Sequence, residues 1–113
     1  MNKHDVLIAY ISYTDDPNAG GKRRPALLMQ KQDNLLHVLR ITSKFHNKSE
    51  YIKKLYYPIK DWKLAGLKQE SWIDIGAIRT IDANQLKTIK IGQLTLRDKQ
   101  ELTRFIKNYY RYD

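Results

Sequence analysis

A chain of 113 residues has room for one small domain that buries roughly two thirds of its unfolded surface, and no room for a two-domain enzyme. Although 42% of the residues are hydrophobic, the longest apolar run, residues 6–11, has the length of a strand and falls well short of the ~18 residues of a membrane span. The absence of cysteine excludes disulfides, thiolate metal sites and thiol nucleophiles, and His4, His37 and His46 show no metal-ligand spacing.

The net charge of +9 is concentrated in one part of the chain. Residues 22–68 hold twelve basic side chains and three acidic ones, and the remainder is neutral. Such a surface attracts a polyanion, whether nucleic acid, an acidic protein segment or an anionic membrane face. A solvated lysine-rich surface that aids solubility is the plain alternative. The opening residues, Met1-Asn2-Lys3-His4-Asp5, run directly into a strand pattern without the core of a signal peptide. A cytoplasmic protein without a membrane span is therefore expected.

In chain order, residues 6–13 are apolar with β-branched and aromatic members, which predicts a strand, and the turn formers of residues 14–21 predict a loop. Pro25 suits the start of a second strand that continues through Ala26-Leu27-Leu28-Met29. Asp33-Asn34 accepts positive φ in a tight hairpin, and residues 35–41 form the returning strand. Residues 42–50 are polar and irregular, and residues 51–59 predict a fourth, edge strand ending near Pro58. Residues 62–67 read as one helical turn or a wide loop closed by Gly66. Residues 71–81 read as a fifth strand with a bulge or bend at Gly76-Ala77. Thr95, three residues ahead of Asp98, signals a helix start, and Leu102, Phe105, Ile106 and Tyr109 follow at i, i+3, i+4 and i+7. The expected architecture is mainly β: a small, strongly bent antiparallel barrel over about residues 5–94 with a terminal helix over about residues 96–110.

Lys22-Arg23-Arg24-Pro25 stands where a glycine-containing loop re-enters a strand. Pro25 holds Arg24 in extended backbone, and a guanidinium so directed can grip a phosphate bidentately. Ile41-Thr42-Ser43-Lys44 ends the strand that the Asp33-Asn34 turn pairs with the Arg24 strand, so hairpin register brings Arg24 near Thr42. The plain alternatives are a solvated basic cluster beside a turn and hydroxyls that cap a strand end. Phe45, Tyr51, Tyr56 and Tyr57 fall in the basic part, and aromatic faces among cations suit single-stranded nucleic acid as well as ordinary packing. His46, just beyond Thr42-Ser43, is a candidate substrate contact, whereas His37 inside an apolar strand reads as a packed histidine.

In order along the chain, these segments resemble the MazF/PemK toxins of type II toxin-antitoxin systems. Asp5-Val6-Leu7-Ile8-Ala9-Tyr10 is similar to the family's opening "GD-hydrophobic" strand, with His4 in the place of the usual glycine. Lys22-Arg23-Arg24-Pro25-Ala26-Leu27 resembles its "(K/R)RPA" signature and Ile41-Thr42-Ser43 its "ITS" motif. Ala65-Gly66-Leu67 with Ser71 resembles "GL…S", Ile78-Arg79-Thr80-Ile81-Asp82 "IRTID", and Ile91-Gly92-Gln93-Leu94 "iGxL".

The resemblance implies an SH3-like barrel, a homodimer, and cleavage of single-stranded RNA without metal or other cofactor, by attack of the ribose 2′-OH on the adjacent phosphate. It also implies an acidic antitoxin partner, and DNA binding by the toxin-antitoxin complex. Carried residue by residue, it makes Arg24 and Thr42 catalytic and Ser43 a substrate contact; Lys22, Arg23, Lys44 and His46, which stand beside these residues in the sequence, are expected to contact RNA as well. A carboxylate that several members carry three residues before the Arg of "IRTID" is Gly76 here, which leaves Asp74 as the candidate substitute. The acid that some members have shortly before the RPA arginine is also missing, with Ala19 about there and Asp16 nearest. A barrel that binds RNA or an acidic partner without cutting is therefore the competing expectation. A third is an interaction protein docking through its Tyr109, Tyr110 and Tyr112 tail.

Overall fold

The computed structural model describes residues 1–12 and 20–111. The predicted loop before Gly20, with Tyr13, Asp16 and Ala19, and the tail tyrosine Tyr112 lie outside the described residues. The elements are β1 (Asp5–Ser12), β2 (Gly21–Gln32), β3 (Leu35–Thr42), α1 (Glu50–Lys53), β4 (Tyr56–Pro58), β5 (Trp72–Asp82), β6 (Ile89–Gln93) and α2 (Leu96–Tyr109). The strands form one antiparallel sheet in the order β4-β5-β3-β2-β1-β6.

Alternation along the central strands builds the core. On β1, Val6 enters one apolar cluster with Leu27, Leu39, Ile41 and Ile73, and the next residue, Leu7, enters a second with Leu28, Leu36 and Val38. The first cluster is closed by α2, which buries Leu102 and lays Phe105 and Ile106 against it, as the i, i+3, i+4 spacing predicts. The β2–β3 hairpin turns at Asp33, whose φ of 55° is the positive value expected of that turn. Asn34 donates to Asp82 at 2.6 Å and ties the turn to the end of β5.

Three elements bear on the expectations: two differ from them, and the bulge of β5 is where it was expected. The predicted strand over residues 51–59 begins instead as the short helix α1, because Ser49 caps it by accepting the Ile52 N–H at 3.3 Å and Glu50 lies in its first turn. Only Tyr56–Pro58 is strand, and it is an edge strand as expected. The bend in β5 is a wide bulge: Leu39 pairs with Ile78 and Ile41 with Ile73, so five steps along β5 match two along β3. The third is β6, which no strand prediction covered; five half-exposed residues far in sequence from their partner β1 give a weak periodic signal.

The sheet is also not closed into a barrel among the described residues, since β4 and β6 do not pair. The space between these edges is taken by the 59–67 segment and α2. Ile59 donates to the Ser71 carbonyl at 3.0 Å, and the Ala65-Gly66 backbone lies directly against Ile91-Gly92 of β6. A Cβ on Gly66 would stand 2.2 Å from the Ile91 oxygen, and one on Gly92 2.2 Å from the Ala65 oxygen. Gly66, at φ +91°, also supplies the left-handed backbone that closes this loop.

A buried carboxylate fixes the same loop to the helix. Asp98 is fully buried and accepts from the Tyr57 hydroxyl at 2.5 Å and from the backbone N–H groups of Lys60 at 3.0 Å and Asp61 at 2.8 Å. Burial, with this bond to Asp98, pushes the Tyr57 phenol well above its ordinary range. Asp61 answers from the other side, taking the hydroxyl proton of Thr95 at 2.7 Å and two bonds from Arg97. Thr95 is the helix cap, accepting the Asp98 N–H. The acid three residues on reaches across to Tyr57 and the 60–61 backbone, where the capping-box pattern has it reach back to the cap.

Candidate functional site

A cleft of about 480 Å³ opens at the ends of β2 and β3. One wall comes from Lys22 and Arg24 of β2 and from Thr42, Ser43 and Lys44 at the end of β3. The opposite wall is the continuation of the 59–67 segment: Leu67, Lys68, Gln69 and Ser71. Ile8, Pro25, Ile41 and Ile91 supply apolar surface.

Register explains the first wall. Ala26 pairs with Arg40, and two further steps along the antiparallel pair set Arg24 level with Thr42. Thr42 is 5% exposed, and its Oγ1 accepts the Lys44 N–H at 3.0 Å. That bond uses an acceptor position of the hydroxyl and leaves its proton to donate to a ligand. Arg24 is half-buried and lines the cleft.

The electrostatics are one-sided. Lys22, Arg24, Lys44 and Lys68 line the cleft, and none of the four is ion-paired with a described residue, while no described carboxylate or imidazole lines it. Some cations outside the cleft are neutralised instead: Arg40 pairs with Asp74, Lys60 with Glu101, Lys90 with Asp5 and Arg97 with Asp61. Four unneutralised cations in a concave site are an anion receptor. Among the described residues, no group of three His, Asp or Glu side chains is arranged to hold a metal ion.

Of the residues singled out from the sequence, Lys22, Arg24, Thr42, Ser43 and Lys44 are brought together in this cleft. Arg23 is not; its guanidinium reaches toward the Lys87 carbonyl at 3.5 Å. His46 also lies outside the lining. It stands edge-on to Phe45 and Trp72, which stack at 4.7 Å, and its imidazole is 4.0 Å from Glu70.

Asp74 departs from the substitute role expected of it. Its Oδ2 accepts from Arg40 at 3.0 Å and its Oδ1 from the Gly76 N–H at 2.8 Å, outside the cleft. The cause is the β5 bulge, which turns residues 74–77 out of the ladder and lets Arg40, also bonded to the Tyr56 hydroxyl at 3.0 Å, hold the carboxylate. Gly76 lines a separate, mostly apolar groove with Met29, Ile78, Ile106 and Tyr110. A Cβ at Gly76 would meet the Asp74 Oδ1 at 3.0 Å and Leu55 at 3.1 Å, so Asp74 occupies the room that a side chain at 76 would need.

Sequence reading missed the second wall. Lys68 was one more cation of the basic region, and Gln69 carried no signal beyond its place inside the "GL…S" segment. Their approach to Thr42 depends on the Gly66–Gly92 crossing and the Asp98 clamp, which no local pattern announces.

A small antiparallel sheet, a C-terminal helix packed on its core, and a cationic cleft lined by no described carboxylate define a small β protein with an electropositive site at the β2–β3 ends. The family is more specific: residues 2–110 match the model of the PemK-like, MazF-like toxins of type II toxin-antitoxin systems, and the chain belongs to that family. The fold agrees. The crystal structure of MazF (Form-I) from Deinococcus radiodurans superposes with a TM-score of 0.68 at 12% identity, over 96% of this chain and 94% of that one. The Mycobacterium tuberculosis toxin MazF-mt6 superposes with a TM-score of 0.63 at 22% identity, over 94% and 98%. The MazE-MazF (Form-II) structure from Deinococcus radiodurans gives 0.65 at 12% identity, over 100% and 97%. No curated protein sequence matches the chain. Among the described residues, no helix is long and apolar enough to cross a membrane.

Proposed function

We propose that this chain is a cytoplasmic endoribonuclease that cuts single-stranded RNA without a metal ion, with Arg24 and Thr42 at the reacting phosphate. The observation that carries the reading is the cleft in which Arg24, Thr42 and three unpaired lysines converge without a described carboxylate. In the reaction, the ribose 2′ oxygen bonds to the adjacent phosphorus and the bond from phosphorus to the 5′ oxygen breaks, leaving a 2′,3′-cyclic phosphate and a 5′-hydroxyl. Charge accumulates on the nonbridging oxygens in the transition state. A guanidinium stays protonated at neutral pH, so Arg24 stabilises that charge and does not act as a base. The free hydroxyl proton of Thr42 donates to a nonbridging oxygen. The described lining holds no carboxylate or imidazole, so solvent takes the 2′ proton and returns a proton to the leaving 5′ oxygen, which departs as the hydroxyl.

The same electropositive surface fits the acidic tail of a cognate antitoxin, and the MazE-MazF structures of Deinococcus radiodurans support such a partner; assembly as a homodimer is part of the same proposal. The missing proton acceptor favours one alternative, a module that binds RNA without cutting it. The deciding experiment incubates the protein and Arg24→Ala with a long, weakly structured RNA in EDTA and maps new 5′ ends. Discrete cuts by the wild type, reduced about 100-fold or more in the variant, are expected. Equal cutting by folded Arg24→Ala removes Arg24 from the mechanism. Intact RNA that still binds with a salt slope of about −3, the value for four phosphate contacts on a single strand, establishes the non-cutting module.

A further inference from the structure

We infer that Gln69 reads the nucleobase beside the reacting phosphate, so that the far wall of the cleft sets sequence preference. This inference rests on the RNA-binding reading of the cleft and adds to it a residue that the reading does not use.

A site for phosphate alone needs cations and hydroxyls, and one wall supplies both through Arg24, Thr42 and Lys44. The cleft also carries apolar surface from Ile8, Ile91 and Leu67, and its volume is several times that of a phosphate group. Flat apolar surface next to a phosphate receptor matches the face of a nucleobase attached to that phosphate. Gln69 stands on this side, exposed, and its side-chain amide has no hydrogen-bond partner among the described residues. An amide offers a donor beside an acceptor in one plane, the arrangement that pairs bidentately with a base edge.

The backbone that carries Gln69 is fixed while its side chain is free. The Ser71 hydroxyl donates to the Gln69 carbonyl at 2.8 Å. Two residues earlier, the Leu67 N–H bonds the Trp62 carbonyl at 3.0 Å, and Gly66 is pressed against Ile91. The neighbouring carboxylate, Glu70, does not line the cleft and faces His46, so it does not repel a phosphate there. A reader on a rigid support discriminates better than one on a mobile loop, because a mismatched base cannot be met by moving the wall.

The test uses the whole chain and two variants, Gln69→Leu and Gln69→Glu, with circular dichroism to confirm folding. Short RNAs with each of the four bases on either side of a central linkage carry a 2′-deoxyribose at that linkage, which prevents cutting, and binding is read by fluorescence anisotropy. A ribose library randomised at the same positions is scored in parallel for cut sites. The wild type is expected to prefer one base at one flanking position by about tenfold. Gln69→Leu should flatten that preference, and Gln69→Glu, which only accepts, should move it to a different base. An unchanged preference in both variants overturns the assignment, as does a wild type that binds or cuts all bases equally. Base-selective binding without cutting would defeat the ribonuclease reading and leave Gln69 as the reader. Failure of the folded wild type to bind any RNA would overturn both.

Discussion

Replacing Asp98 tests whether the cleft depends on a clamp some distance from it. The carboxylate is fully buried and accepts three hydrogen bonds, one from the buried Tyr57 hydroxyl and two from the partly buried N–H groups of Lys60 and Asp61. A hydrogen bond to a charged group contributes about 1.5–3 kcal/mol, and a buried donor left without a partner costs about 1–3 kcal/mol. The two backbone donors reach water once the carboxylate is gone, so Asp98→Ala should lose about 4 kcal/mol in all. Asp98→Asn keeps the shape. One amide oxygen still accepts from Tyr57 and Lys60, but the amide nitrogen then faces the Asp61 N–H, donor against donor, at a cost of about 2 kcal/mol. Urea unfolding followed by tryptophan fluorescence reads both values, with unchanged m-values if the effect is on the native state. Because the clamp precedes Leu67, Lys68 and Gln69 on the same segment, RNA affinity should fall in Asp98→Asn even where the protein is fully folded. A loss below about 1 kcal/mol in both variants would refute the reasoning, since it would mean that the three donors find equal partners elsewhere.

Gly92→Ala places a methyl group 2.2 Å from the Ala65 carbonyl oxygen, so about 2–3 kcal/mol of stability should be lost and the Lys68–Gln69 wall displaced; a urea midpoint equal to that of the wild type would contradict the close crossing. His4 stands at φ +73°, left-handed backbone that favours glycine, and His4→Gly should stabilise the protein by about 0.5–1 kcal/mol at pH 8. Burial, with Lys3 and Lys99 nearby, holds the His4 imidazole below its ordinary 6.5, so the unfolded chain binds the proton more readily and stability falls as pH drops through that value. The advantage of His4→Gly should therefore grow below pH 6.5, and a constant advantage from pH 8 to pH 5 would count against it. Hydrogen bonds from Arg97 and Thr95 hold the Asp61 carboxyl below its ordinary 3.8. Its contribution is present above that value and disappears as the pH falls through the lowered one, so the stability gap between wild type and Asp61→Asn should close only below pH 3.8. A gap of the same size at pH 2 would exclude this linkage.

Local chemistry in the chain determined much of the architecture. The residues of β1, β2 and β3 alternate or run apolar, Asp33-Asn34 demanded a hairpin, and Thr95 with the Leu102, Phe105 and Ile106 spacing demanded a helix with one apolar face. The first wall of the cleft was legible to within a residue for the same reason, because a two-strand register counted outward from its turn brings Arg24 near Thr42, and the register shift between Leu28 and Gln30 then sets them level.

What is not local was not legible. Residues 51–53 read as the start of a strand, yet a serine cap and a glutamate just ahead of them were enough to start a helical turn. The wide bulge breaks the period-2 alternation that would carry Asp74 to the site, and Asp74 bonds Arg40 while Gly76 lies on a separate groove. The second wall depended on tertiary structure alone. Gly66 and Gly92 let two backbones touch, Asp98 fixed the segment between them to the helix, and Lys68 and Gln69 faced Thr42 as a result. Residue types along the chain set which groups can bind a phosphate. Contacts between segments more than twenty residues apart decided which of those groups share a cleft, because such contacts form only when the whole core is assembled.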